Sequence, residues 1–133
     1  METKKLKEQL EKRLNSIEDA YKETGRPKVD FSVYPEDMRV YKEASYDANV
    51  VIEAARKIER ENGYGDIDWS NSKQYKYTPW FFCSPSSFGF GGAGYGSTNA
   101  GAGGGSRLRV LSEEAARHIG SRFEEMWKNM QLG

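Results

Sequence analysis

The sequence predicts a small α+β domain with two N-terminal helices, an antiparallel sheet of about three strands, and a C-terminal helix packed on that sheet. Three observations lead there. Apolar residues recur three or four positions apart over 4–23, over 36–61 and again after Ser112. Ten of the seventeen aromatic residues lie between Tyr64 and Tyr95, in a β-prone stretch. Nine of the fourteen glycines fall between Gly89 and Gly105, where few side chains are left to pack.

Over residues 4–23, Leu6, Leu10, Leu14, Ile17 and Tyr21 form a narrow apolar stripe on an otherwise charged helix. Gly25 and Pro27 end it. The stripe fits either a helix docked on its own domain or a seam for self-association or a partner. Segment 1–27 is accordingly either part of the fold or an appendage to a single domain over 28–133. Val29, Phe31 and Val33 alternate with polar residues, as in a short edge strand or an extended linker. Pro35-Glu36-Asp37 is a strong helix start, since proline suits the first turn and carboxylates suit the positive end of the helix dipole. That helix runs to about Glu61 with Met38, Tyr41, Ala44, Ala48, Val51, Ala55 and Ile58 as its stripe, and Asn62-Gly63 stops it.

Gln74–Phe82 reads as a strand in which Pro79 removes a ladder donor, so an edge position or a bulge is expected. Ser84-Pro85-Ser86-Ser87 reads as a turn and Phe88-Gly89-Phe90 as the returning strand. The glycine-rich run at 91–105 is expected to be a mobile loop outside the core. Ser106–Leu111 alternates again, Leu108 and Val110 against Arg107 and Arg109, which predicts a third, half-buried strand. Ser112 with Glu113-Glu114 opens the last helix, and Ala116, Ile119, Phe123, Trp127 and Met130 share one of its faces.

Composition limits the function classes. Lys plus Arg and Asp plus Glu are 20 each, so no net charge draws the chain to nucleic acid or an anionic membrane. One cysteine, Cys83, cannot form an intrachain disulfide and fits a reducing compartment. No apolar run approaches a bilayer span, and the charged N-terminus lacks the apolar stretch of a signal peptide. A cytoplasmic location follows as the expectation.

The motifs Asp68-Trp69-Ser70-Asn71, Gln74-Tyr75-Lys76-Tyr77-Thr78-Pro79-Trp80-Phe81, Phe88-Gly89-Phe90, Gly105-Ser106-Arg107-Leu108 and Ser112-Glu113-Glu114-Ala115 with Phe123 occur in this order. In that order they resemble a family of small uncharacterised proteins encoded by phages and prophages of Bacteroidetes. With the helix ending in Glu53-Ala54-Ala55, the resemblance covers roughly Tyr46 to the C-terminus. The family has Tyr- and Thr-rich sequence where this chain has glycines, and an aromatic where Val110 stands. The resemblance implies a phage or mobile-element origin and a host-cytoplasmic location, and supplies no activity.

Tests for chemistry are mostly negative. Gly89-Phe90-Gly91-Gly92-Ala93-Gly94 matches G-x-G-x-x-G, but more glycine follows where a dinucleotide site needs a helix N-terminus. No cofactor is expected. His118 is the only histidine and Cys83 the only cysteine, too few for a metal cluster, and a packed histidine and a packed thiol are the favoured readings. Asp66 and Asp68 read as turn formers. Aromatics mixed with cations leave one recognition hypothesis, with Tyr75, Tyr77 and Trp80 stacking on bases while Lys73, Lys76, Arg107 and Arg109 hold phosphates. The alternative is that the rings are interior packing.

The favoured expectation is a non-enzymatic accessory protein of a phage or mobile element that binds a host or phage protein. Inhibition of a host defence system, as small anti-CRISPR proteins do, is its concrete version by analogy. The alternatives are single-stranded nucleic-acid binding and a virion or assembly component that self-associates through residues 4–23. No membrane partner is expected.

Overall fold

A computed structural model describes residues 3–84, 87–96 and 108–132. It is α+β, with helices α1 (Thr3–Arg13), α2 (Ile17–Thr24), α3 (Glu36–Glu61), α4 (Glu113–Arg122) and α5 (Glu124–Leu132) and a two-stranded antiparallel sheet of β1 (Lys76–Ser84) and β2 (Ser87–Gly96).

The helix expected over 4–23 is two helices. Ser16 takes an extended conformation and its hydroxyl caps the Asp19 amide at 3.1 Å, while the Asp19 carboxylate accepts from the Asn15 amide at 3.0 Å. Leu14 and Ile17 keep a three-residue spacing across this corner, so the apolar period runs through it unbroken. Leu6, Leu10 and Leu14 are fully buried in the common core, and Arg13 ties α1 to α2 and α3 through Glu23 and Glu61, each at 2.6 Å. The stripe that could have served as a self-association seam is therefore occupied within the molecule.

Residues 28–34 are the linker rather than the edge strand. They end in a single 3₁₀ turn, Phe31–Val33, which the Asp30 carboxylate caps at the Ser32 amide. In α3 burial begins at Ala44 and continues through Val51, Ala55 and Ile58. Met38 and Tyr41, expected in the buried stripe, are exposed at 39 % and 42 %.

Among the described residues the sheet has two strands, where three were expected. Tyr77 and Val110 exchange backbone hydrogen bonds at 2.7 and 2.9 Å, but this bridge is isolated. Extending the bridge would next pair Pro79 with Leu108, and Pro79 has no amide to donate; the groups of Arg109 and Leu111 face away from β1, the Arg109 carbonyl accepting from Arg56 Nε at 2.6 Å and the Leu111 amide donating to the Glu59 carboxylate at 2.9 Å. Ser106 and Arg107 lie outside the described residues, as do the turn residues Pro85 and Ser86 and the run 97–105. Residues 91–96, expected in the mobile loop, instead continue β2.

The irregularity expected near Pro79 is present. Trp80 pairs with Gly92 and Phe81 with Phe90, leaving Gly91 as the extra residue of a bulge. Inside the hairpin, Phe81 stacks on Phe88 with ring centroids 4.9 Å apart and meets Trp127 of α5 at 5.8 Å. The expected C-terminal helix is likewise two, bent at Phe123. Ala116, Ile119, Phe123, Trp127 and Met130 are buried as the pattern required, and the Trp127 indole donates to the Ile119 carbonyl at 3.0 Å, bracing the bend.

Candidate functional site

Of the described residues proposed to hold nucleic acid, Lys76 and Arg109 are engaged within the fold. Lys76 is fully buried, and its ammonium donates to the carbonyls of Asn71 at 3.0 Å and Gln74 at 3.1 Å with the Trp69 ring 5.2 Å away. It pins the 64–75 loop to β1 and is not placed to meet a phosphate. Arg109 is half-buried, with Nη1 3.4 Å from the Lys76 carbonyl. Tyr77 is half-buried against the core. Lys73 and Tyr75 are exposed, Tyr75 at 53 %, and Arg107 lies outside the described residues.

Trp80 differs from the other sheet rings. It is 44 % exposed, and its indole lies along the glycines of β2. A β-carbon at Gly91 would stand 2.4 Å from the indole, and one at Gly92 would stand 3.1 Å from it. The glycines of β2 thus serve as a bed for one ring, which the composition did not reveal because the partner lies across the strand. Of Trp80, Phe82, Phe88 and Phe90, the rings expected to make the sheet's core, Phe88 packs against the core, joined by Phe81, Trp80 is 44 % exposed, and the Phe82 side chain lies outside the described residues.

Two buried polar groups hold elements together. The Glu59 carboxylate accepts from the Leu111 amide and from the Ser112 hydroxyl at 2.5 Å, while that hydroxyl accepts from the Ala115 amide and caps α4. Burial pushes the Glu59 carboxyl up to about 7, against the hydrogen bonds from Ser112 and Leu111 that favour its charged form. His118 is buried with Nε2 2.5 Å from the Leu14 carbonyl, so this nitrogen carries the proton and donates to the end of α1. Burial holds its pKa below the ordinary histidine value. Arg122 reinforces the same corner by donating to Asn15.

A cleft of about 460 Å³ beside His118 mixes Lys7, Arg117 and Arg122 with Glu11, Glu113 and Glu114. Glu113 and Arg117 pair with each other at 2.7 Å, and the histidine's Nε2 is committed to Leu14, so the cleft offers no poised base there. Asp66 pairs with Arg60, and Asp68 accepts from Ser70, so both carboxylates serve local turns. Among the described residues, no group of three or more His, Cys, Asp or Glu could hold a metal ion, and no helix is long and apolar enough to cross a membrane. The Cys83 side chain lies outside the described residues.

The feature that sequence reasoning missed is the uncovered start of α3. Val33 is 80 % exposed and Val40 51 %, with Met38 and Tyr41 exposed beside them. Lys42 lies over the rings of Tyr34 and Tyr41, at 5.2 and 5.9 Å. Next to Val40 a groove of about 260 Å³ opens between Ile17 at the start of α2, Val40, Glu43, Ala44 and Asp47 of α3, and Glu125, Met126 and Asn129 of α5. No family model, curated protein or solved structure gives a significant match to the chain.

Proposed function

We propose that this chain is a non-enzymatic accessory protein of a phage or mobile element that binds a host or phage protein through the uncovered start of α3. The observation that carries the reading is the group of exposed apolar side chains at Val33 of the 3₁₀ turn and at Met38, Val40 and Tyr41 of the first turns of α3, a helix whose later turns contribute to the core. A helix end of this kind exposes apolar area that a partner's surface would remove from water. Inhibition of a host defence nuclease, in the manner of small anti-CRISPR proteins, is the narrower version, resting on size and the phage resemblance. Affinity capture from infected host lysate, with and without nuclease treatment, tests it. A protein retained after nuclease treatment and lost with Val33→Glu/Tyr41→Glu supports the reading, whereas retention unchanged by that variant, or material lost on nuclease treatment, rejects it.

A second reading, single-stranded nucleic-acid binding, is favoured by the half-exposed indole of Trp80, which could stack on a base. It has lost Lys76 as a phosphate contact. This reading requires affinity for oligonucleotides that falls steeply with salt and drops on Trp80→Ala.

A further inference from the structure

The groove beside Val40 has a definite chemistry. Its floor is apolar, made of Ala44 and Met126, both almost fully buried, with Ile17 and the half-exposed Val40 at its sides. Its charged lining residues are Glu43, Asp47 and Glu125, and among the described residues no cation lines it. The cation acting on Asp47 is Lys28, which lies 3.4 Å from Glu18 and 5.1 Å from the Tyr21 ring centre. Asp47 is held in place by the Tyr21 hydroxyl at 2.6 Å, whereas Glu43 and Glu125 are exposed.

We infer that this groove receives a basic, amphipathic segment of the protein partner, an apolar side chain seating against Val40, Ala44 and Met126 while Lys or Arg beside it meets Glu43, Asp47 and Glu125. The inference rests on the protein-binding reading and adds to it the partner's chemistry. An acidic or purely apolar segment would leave the carboxylates facing like charge or unpaired, which disfavours it. A basic one gains attraction at long range and apolar burial at contact. Helix-in-groove docking has this form, with anchors spaced three and four apart on the guest.

The test uses the full chain, ¹⁵N-labelled, titrated with a synthetic amphipathic helix of Leu and Lys and with a Leu and Glu peptide of the same length and pattern. The expected result is resonance shifts concentrated at Val40, Ala44, Glu125, Met126 and Asn129 with the Lys peptide, and binding about tenfold or more weaker with the Glu peptide. Glu43→Lys/Glu125→Lys, both at exposed positions, should weaken the Lys peptide by about tenfold and reverse the preference between the two peptides. Shifts elsewhere on the molecule, equal affinity for both peptides, or affinity unchanged by the charge reversal would each overturn the inference. If lysate capture succeeds and the Lys peptide fails, the basic-segment inference falls and the protein-binding reading stands. If capture is insensitive to Val33→Glu/Tyr41→Glu, it is the protein-binding reading that falls.

Discussion

A β-carbon at Gly120 would lie 2.4 Å from the Phe90 ring and 2.7 Å from the Pro79 β-carbon, so the absence of a side chain at Gly120 sets how closely α4 approaches the hairpin. In an open helix, Gly→Ala would gain about 1 kcal/mol from propensity. Here the added methyl group must displace a ring and a strand, and overpacking of this kind costs about 1–3 kcal/mol. Gly120→Ala should therefore destabilise the protein. The decisive measurement is a double-mutant cycle in chemical denaturation. In a Phe90→Ala background the same substitution should cost clearly less, and equal cost in both backgrounds would locate the strain elsewhere.

Trp80 and Gly91 form the opposite case. The indole is near enough to collide with a methyl group at Gly91, but Trp80 is half-exposed and can swing outward. Gly91→Ala should move the Trp80 indole N–H resonance and raise its solvent exchange, with a stability change below about 1 kcal/mol, as for surface sites with room to adapt. A large loss of stability would mean that the indole cannot leave its bed.

These two glycines also show what the sequence could and could not disclose. Caps and breakers were legible because they act locally. Pro35 with Glu36 opened α3, Asn62-Gly63 closed it, and Pro79 announced a disturbed strand. Gly91 and Gly92 were misread because their reason is a ring on the facing strand. Val110 belonged to an alternating run, yet its bridge to Tyr77 would next pair Leu108 with Pro79, which has no amide to donate. Lys76 looked like a surface cation and is a buried tie, because the 64–75 loop folds back over it. The exposed start of α3 had the right period for a core face, and periodicity does not say how far the covering elements reach.

Glu59 predicts a pH dependence. Its carboxyl is pushed up to about 7 in the folded protein from an ordinary value near 4.5, so the folded state holds the proton more tightly than the unfolded chain. The corresponding stabilisation is fully present below about pH 4.5 and is lost as pH rises through about 7. Its size is on the order of 3 kcal/mol, from 1.36 kcal/mol per pH unit. Glu59→Gln should flatten the stability profile between these limits while keeping an acceptor for the Leu111 amide. Glu59→Ala should also lose about 1–3 kcal/mol by orphaning the Leu111 and Ser112 donors. A slope that survives Glu59→Gln would assign the titration to another group.

His118 has the opposite sign. Burial lowers its pKa, so the folded state prefers the neutral ring, and its contribution is present above the unfolded value near 6.5 and lost as pH falls. The neutral ring donates from Nε2 to the Leu14 carbonyl, one of the backbone groups that the end of α1 leaves without a helical partner. His118→Phe fills the volume but removes the donor, and an unsatisfied buried carbonyl costs about 1–3 kcal/mol. Because the contact joins α1 to α4, the loss should show first as faster amide exchange in Leu6–Leu14, ahead of any change in α3, and as removal of the acid-side fall in stability. Uniform acceleration across α1, α3 and α4 would mean that the histidine supports the whole fold rather than the α1 corner.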